Sequence, residues 1–235
     1  MVRRYHNEPS RQTDAPAQGM RGPGRAPLRA PGLDTNQGLN RFVWDFSIDG
    51  PARANGEPAG MLRATPGAYV ARLTLGSWQA EAGFDLVSDP AVEAEGVSDD
   101  DLMEQFLLGR RILVLSGAAA DLGERVDSLL ALPVAAPANE GNRDRRRRLA
   151  GSEADPRADL EAVKAELETD NSDSYPPPML MDQIGYLRSM VMGADQRPGN
   201  HAYERLDSLQ QWFNTLKARV DSSARQLETA TGANE

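Results

Sequence analysis

Cysteine is missing altogether from the 235 residues. Its absence excludes disulfide stapling, thiolate metal ligation and a cysteine nucleophile. Histidine is nearly missing: His6 and His201 are the only two. His6 opens a Pro/Gly-rich stretch and His201 begins a polar-faced helical segment, so neither joins a ligand-spaced cluster. A nucleophile needs a base beside it, and the reading is of no catalytic residue, no metal site and no cofactor. Long apolar runs are missing too. None approaches the roughly 20 residues a membrane helix requires, so no membrane span is expected. Arg3 and Arg4 have no apolar stretch behind them, hence no signal peptide, and as written the chain is expected to stay in the cytoplasm. Finally, basic charge is in deficit: Lys and Arg total 26 against 35 Asp and Glu, for a net charge of −9. That balance argues against a dedicated nucleic-acid binder. No Gly-rich loop links a strand to a helix, so the nucleotide-binding fingerprint is absent as well.

What is present is unevenly distributed. Residues 1–38 read as a short strand, "MVRRYH", with nothing upstream to pair with, followed by a disordered Pro/Gly/Arg/Ala-rich loop with too little apolar surface to offset the entropy of ordering. Residues 39–90 read as β structure. In "NRFVWDFSI", Phe42, Trp44, Phe46 and Ile48 alternate with Arg41, Val43, Asp45 and Ser47, the period of a strand with one buried face. In "AYVARLTLG", Tyr69, Ala71, Leu73 and Leu75 share a side; in "WQAEAGFDLV", Trp78, Ala80, Ala82, Phe84 and Leu86 do. The turn at Gly76-Ser77 makes these two runs a hairpin. Three or four strands of this length are part of a sandwich rather than a closed one.

Residues 91–228 read as helical, with an exposed loop at 134–154. Ser98 before Asp99, Asp100 and Asp101 is a helix start, its hydroxyl and the acids matched to free N–H groups and the dipole. From there a helix runs to about Leu132, with Leu102, Phe106, Leu113 and Ala120 in its buried stripe. Asp159 to Glu168 reads as a short polar helix. Leu180, Ile184, Leu187 and Val191, then Tyr203, Leu206, Leu209, Phe213, Leu216 and Val220, recur at three- and four-residue steps, as packing against an antiparallel neighbour requires. The chain past Arg225 is expected to fray, with a disordered tail at 229–235.

Several residues invite functional readings. Paired carboxylates serve glycoside hydrolysis across a cleft, but Asp99, Asp100 and Asp101 are adjacent and better explained as a helix cap. Asp45, after a tryptophan, reads as a turn-pairing or solvent-facing carboxylate. The run Arg145–Arg148 lacks interleaved aromatics and reads as a solvated loop. Trp44 and Trp78 are either sandwich core or a carbohydrate platform. Trp212 and Phe213 either pack on another helix or dock on something outside the chain. Together Trp44, Trp78, Trp212 and Phe213 are the candidate interaction surface.

The segments "GLNRFVWDFSIDGP", "TPGAYVARLTLGSWQAEAGFDLVSDP", "SDDDLMEQFLLGRRI" and "YPPPMLMDQIGYLRSMVMGADQRPGNHAYERLDSL", in this order, resemble the C-terminal region of bacterial sortilin-like β-propeller proteins with BNR-type repeats, often labelled glycosyl hydrolases. The resemblance spans roughly Leu33 to Val220. It implies an α+β chain: a partial immunoglobulin-like antiparallel β-sandwich followed by an antiparallel α-helical hairpin or bundle. It implies a parent that is secreted or periplasmic, whose propeller, first sandwich strands and secretion signal have no counterpart here. Met1 is thus expected to fall within the parent's sandwich. The enzymatic label belongs to those propeller repeats and is not carried over. The expected function is therefore a non-catalytic structural or interaction module. Its expected partners are the parent's own propeller or a second copy, with no nucleic acid. A carbohydrate-binding or hydrolase-supporting role stands as the alternative.

Overall fold

The computed structural model describes residues 3–6, 33, 36–132, 155–170 and 176–232. Within them the chain is mixed α/β, with two antiparallel sheets of two strands each and five helices. Strands β1 (Ser47–Asp49) and β2 (Met61–Arg63) pair around Ile48 and Leu62. Strands β3 (Gly67–Leu75) and β4 (Trp78–Leu86) pair over their whole length, from Gly67 opposite Leu86 to Leu75 opposite Trp78. The helices are α1 (Pro90–Ala94), α2 (Asp99–Leu130), α3 (Pro156–Leu167), α4 (Leu180–Met192) and α5 (Asn200–Gly232).

The core belongs to the helices. Leu108, Ile112, Leu115, Ala119, Leu122 and Val126 of α2 meet Leu160, Val163 and Leu167 of α3, with the predicted stripes of α4 and α5 closing the cluster. Side-chain pairings give the helix directions. Glu104 meets Tyr203, Arg111 meets Asp207 and Arg125 meets Asp221, so α2 and α5 run the same way. Arg157 reaches Leu130 O and Lys164 meets Asp127, while Asp159 meets Ser223 and Glu166 meets Trp212, so α3 runs against both. Gln105 of α2 reaches the last turn of α4 at Val191, while the start of α4 lies beside Thr169 just past α3. Helices α3 and α4 thus return in series between two long parallel helices.

Local signals explain the ends. Ser98 accepts from Asp101 N (3.2 Å) while the Asp101 carboxylate accepts from Ser98 N (3.0 Å), a reciprocal cap at the start of α2. Asp89 and Asp155 cap α1 and α3 with a proline behind each.

Some expectations need correction. The strand over 41–48 is broken. Phe46 has φ 58, Trp44 Nε1 donates to Ser47 O (2.9 Å), and Asp45 Oδ1 accepts from Ser47 N (3.0 Å), so a local turn replaces the ladder up to β1. The opening residues form no strand among those described; Tyr5 packs on Phe42 at 4.7 Å and Arg3 pairs with Asp49. In α2, of the predicted stripe only Leu113 is fully buried; Leu102, Phe106 and Ala120 are half-buried. That stripe turns toward β1 and β2, where Leu113 lies against Gly50 and Gly60, whereas the main core uses the opposite side of the helix. Helix α3 is no merely polar segment, because three of its residues are fully buried. Helix α5 continues to Gly232 rather than fraying after Arg225 or becoming a tail at 229. The loop expected at 134–154 and nearly all of the Pro/Gly-rich stretch lie outside the described residues.

Glycines let the small sheet sit close to α2. A Cβ at Gly109 would stand 3.2 Å from Leu62, and one at Gly117 would stand 3.0 Å from Ala59. Arg53 clamps the same junction through Asp121 (3.0 Å) and Glu124 (2.6 Å).

Candidate interaction surface

The hairpin of β3 and β4 is built by its turn. Gly76 occupies the first central position with φ 57, and Ser77 follows without a positive φ, the pattern of a II′ connection that suits strand twist. Register then sorts the side chains. Tyr69 faces Phe84, Ala71 faces Ala82, Leu73 faces Ala80 and Leu75 faces Trp78. Because side chains alternate in a strand, these eight share one face. The other face carries Ala68, Val70, Arg72 and Thr74 opposite Asp85, Gly83, Glu81 and Gln79, with Arg72 and Glu81 paired at 2.6 Å.

Among the described residues, almost nothing lies on this apolar face. Trp44 covers one end, with its ring 5.5 Å from Tyr69 and 6.1 Å from Phe84. Beyond that the face is open: Leu73 is 54% exposed, Leu75 72% and Trp78 54%. Among the described elements, neither β3 nor β4 packs against anything but the other. Next to the two-residue turn the Leu75–Trp78 pair is the hydrogen-bonded one, so the polar-face residues aim their N–H and C=O groups outward. No third strand among the described residues meets either edge. The result is a two-stranded sheet with an apolar face and two open edges, which in isolation is marginal in water.

The four residues predicted as an interaction surface therefore separate. Trp44 and Trp78 belong to opposite ends of the hairpin face, about 20 Å apart along the strands. Phe213 is 7% exposed and belongs to the bundle core, which corrects its assignment to a surface. Trp212 is half-buried, with Nε1 3.4 Å from Glu166 Oε2. It borders a charged cluster in which Arg219 joins Asp159 (2.6 Å) and Glu166 (2.5 Å), and those hydrogen bonds, ahead of the opposing effect of burial, raise the Arg219 pKa. Of the two alternatives for this pair, packing on another helix is the one realised.

The remaining polar candidates are structural. Asp101 belongs to the α2 cap, and hydrogen bonds from Ser98 hold its carboxyl below the usual range. Asp99 bonds the buried Ser88 hydroxyl. Burial works against the Asp45 charge, but the Ser47 hydroxyl and amide, with Arg3, outweigh it and lower the pKa. His6 and His201 are both exposed. Arg145–Arg148 lies outside the described residues. Among the described residues no group of three His, Cys, Asp or Glu side chains is placed to hold a metal, and no helix is long and apolar enough to cross a membrane.

No protein-family model matches the chain, and neither a curated protein nor a solved structure matches it.

Proposed function

We propose that this chain is a non-catalytic interaction module that docks through the apolar face of β3 and β4. We propose further that it serves as the C-terminal accessory region of a larger secreted β-propeller protein, as its resemblance to the sortilin-like family implies. The observation that supports the docking role is the bare face itself: Leu73, Leu75 and Trp78 project from a sheet on which no other described element packs. An exposed apolar patch of a few hundred Å² is among the largest a soluble monomer carries and is often functional. In an immunoglobulin-like sandwich such a face is covered by a second sheet about 10 Å away. On this reading the four strands are one portion of that sandwich.

Two experiments test the two halves. The coding DNA immediately upstream of Met1 is expected to continue in frame into propeller repeats; a stop codon with no such repeats ends the parent-protein half. For the docking half, 8-anilinonaphthalene-1-sulfonate fluorescence is expected to rise on binding the protein. Leu75→Glu is expected to reduce that signal severalfold with the helical circular dichroism unchanged. A signal indifferent to Leu75→Glu defeats the docking reading.

Trp78 keeps a second reading in play, a carbohydrate contact, because an exposed indole is a stacking platform. Affinity electrophoresis in gels holding soluble polysaccharides decides it: retardation lost in Trp78→Ala supports that reading, and unretarded wild-type protein removes it.

A further inference from the structure

The open part of the hairpin face consists of three rows with a defined order of sizes. The tip row is Leu75 and Trp78, the middle row is Leu73 and Ala80, and the third row is Ala71 and Ala82. Beyond it stands the aromatic row of Tyr69 and Phe84, already covered by Trp44. The face is therefore large, intermediate, small, and then closed.

From this order we infer that the occupant is a second copy of the same chain, seated face to face with its strands reversed, about a two-fold axis over the Leu73–Ala80 row. The inference rests on the docking reading of the same face. A two-fold axis of this kind maps the tip row of one copy onto the third row of the other. Leu75 then lies over Ala71 of the second copy and Trp78 over Ala82, while the middle rows face themselves. In both outer rows large residues lie opposite small ones, as interdigitation of two packed layers requires, while in the middle row Leu73 meets Leu73 and Ala80 meets Ala80. A two-fold interface must be self-complementary in this way.

Area is sufficient, though small. The exposed fractions of Leu73, Leu75 and Trp78, with the alanines between them, leave roughly 500 Å² open per copy, so a pair removes about 1,000 Å² in total, near the lower bound for a specific interface. Charge does not oppose the contact at short range, because Arg72, Glu81 and Asp85 all lie on the other face. Such an interface is expected to be weak and concentration-dependent.

Sedimentation velocity on the whole chain tests the inference. Wild type is expected to pass from monomer to dimer as concentration rises toward about 100 µM, the range a contact near this lower bound supports. Trp78→Ala is expected to weaken the dimer at least tenfold. Ala82→Trp, which fills the floor of an exposed row, is expected to abolish it. The double variant Trp78→Ala with Ala82→Trp exchanges large for small and is expected to restore it. The absence of native cysteine permits a second readout. Ala80→Cys is expected to cross-link to its own copy with a short bismaleimide, and Gln79→Cys, on the polar face, is not.

A monomer at every concentration overturns the inference, as does a double variant no better than either single one. Equal cross-linking at both cysteines also overturns it. The dye measurement separates the two failures. A monomer that still binds dye in a Leu75-dependent way loses the second copy but keeps the docking face. A monomer that does not loses both.

Discussion

The side-chain amide of Gln105, buried on α2, donates to the main-chain carbonyl of Val191 at the end of α4, 2.6 Å away. A second bond from the same nitrogen reaches Ala194 O at 2.5 Å, so one side chain serves carbonyls that the end of a helix leaves without partners. Replacing it with an apolar residue of similar size strands those carbonyls in a buried place. Gln105→Leu is expected to cost about 1–3 kcal/mol, read as a lower urea midpoint with an unchanged slope.

Ser98 bonds the third residue of α2 and is bonded in return by Asp101. Ser98→Ala removes the hydroxyl from an otherwise intact helix, and a loss of about 1 kcal/mol is expected from equilibrium unfolding. Ser98→Asp keeps an acceptor there and is expected to lose much less.

Helix α3 tests whether the bundle is one cooperative unit. Leu160 is fully buried although both of its immediate neighbours in sequence, Asp159 and Glu161, are charged. Leu160→Ala is expected to cost about 2–5 kcal/mol, with α2 and α5 melting together. A change of a few tenths of a kcal/mol would mean that α3 docks without supporting the core.

At Gly50 an added Cβ would stand 2.7 Å from the main-chain oxygen of Gly60, as well as against Leu113. Backbone cannot rotate aside as a side chain can. Gly50→Ala is expected to cost about 1–3 kcal/mol and to free the β1–β2 sheet from α2, seen as faster amide exchange at Ile48 and Leu62. Gly185→Ala, where nothing stands within 4 Å, is expected to be neutral or slightly stabilising in the helix.

Acid is expected to loosen the molecule in a narrow range. Asp221 is lowered by bonds from Lys217 and Arg125, and Asp101 is lowered by those from Ser98. Each carboxyl has a folded pKa below its ordinary value of 3.8. Stability from both is fully present above the unfolded pKa and is lost as pH falls through the folded one. The melting temperature is expected to hold from neutral pH to about 5, then to fall below about 4, where unfolded carboxyls of ordinary pKa take up protons first. Asp221→Asn is expected to flatten part of that acid limb.

Much of the fold was legible where one local rule decides the outcome. The α2 cap follows from Ser98 and the three acids after it, and the β3–β4 register follows from alternation and Gly76-Ser77. The stripes of α4 and the first half of α5 follow from three- and four-residue spacing, and all ten residues read there are buried except the half-buried Tyr203. The failures have separate causes. Alternation through Phe42, Trp44 and Phe46 predicted a strand, but side-chain bonds from Trp44 and Asp45 to Ser47 offered the backbone a competing turn. Leu160, Val163 and Leu167 were passed over because a narrow apolar stripe suffices when two long helices enclose it.

Sequence alone therefore determined the elements whose hydrogen bonds are local, the capped helices and the tight hairpin, and the apolar sides of α4, α5 and the hairpin. Tertiary structure alone decided which of those sides are buried. Periodicity puts Leu187 and Leu75 equally on apolar faces, yet one is enclosed by the bundle and the other stands in water. The reason is physical: spacing fixes a side chain's direction from its own backbone, whereas burial depends on what distant parts of the chain bring opposite it.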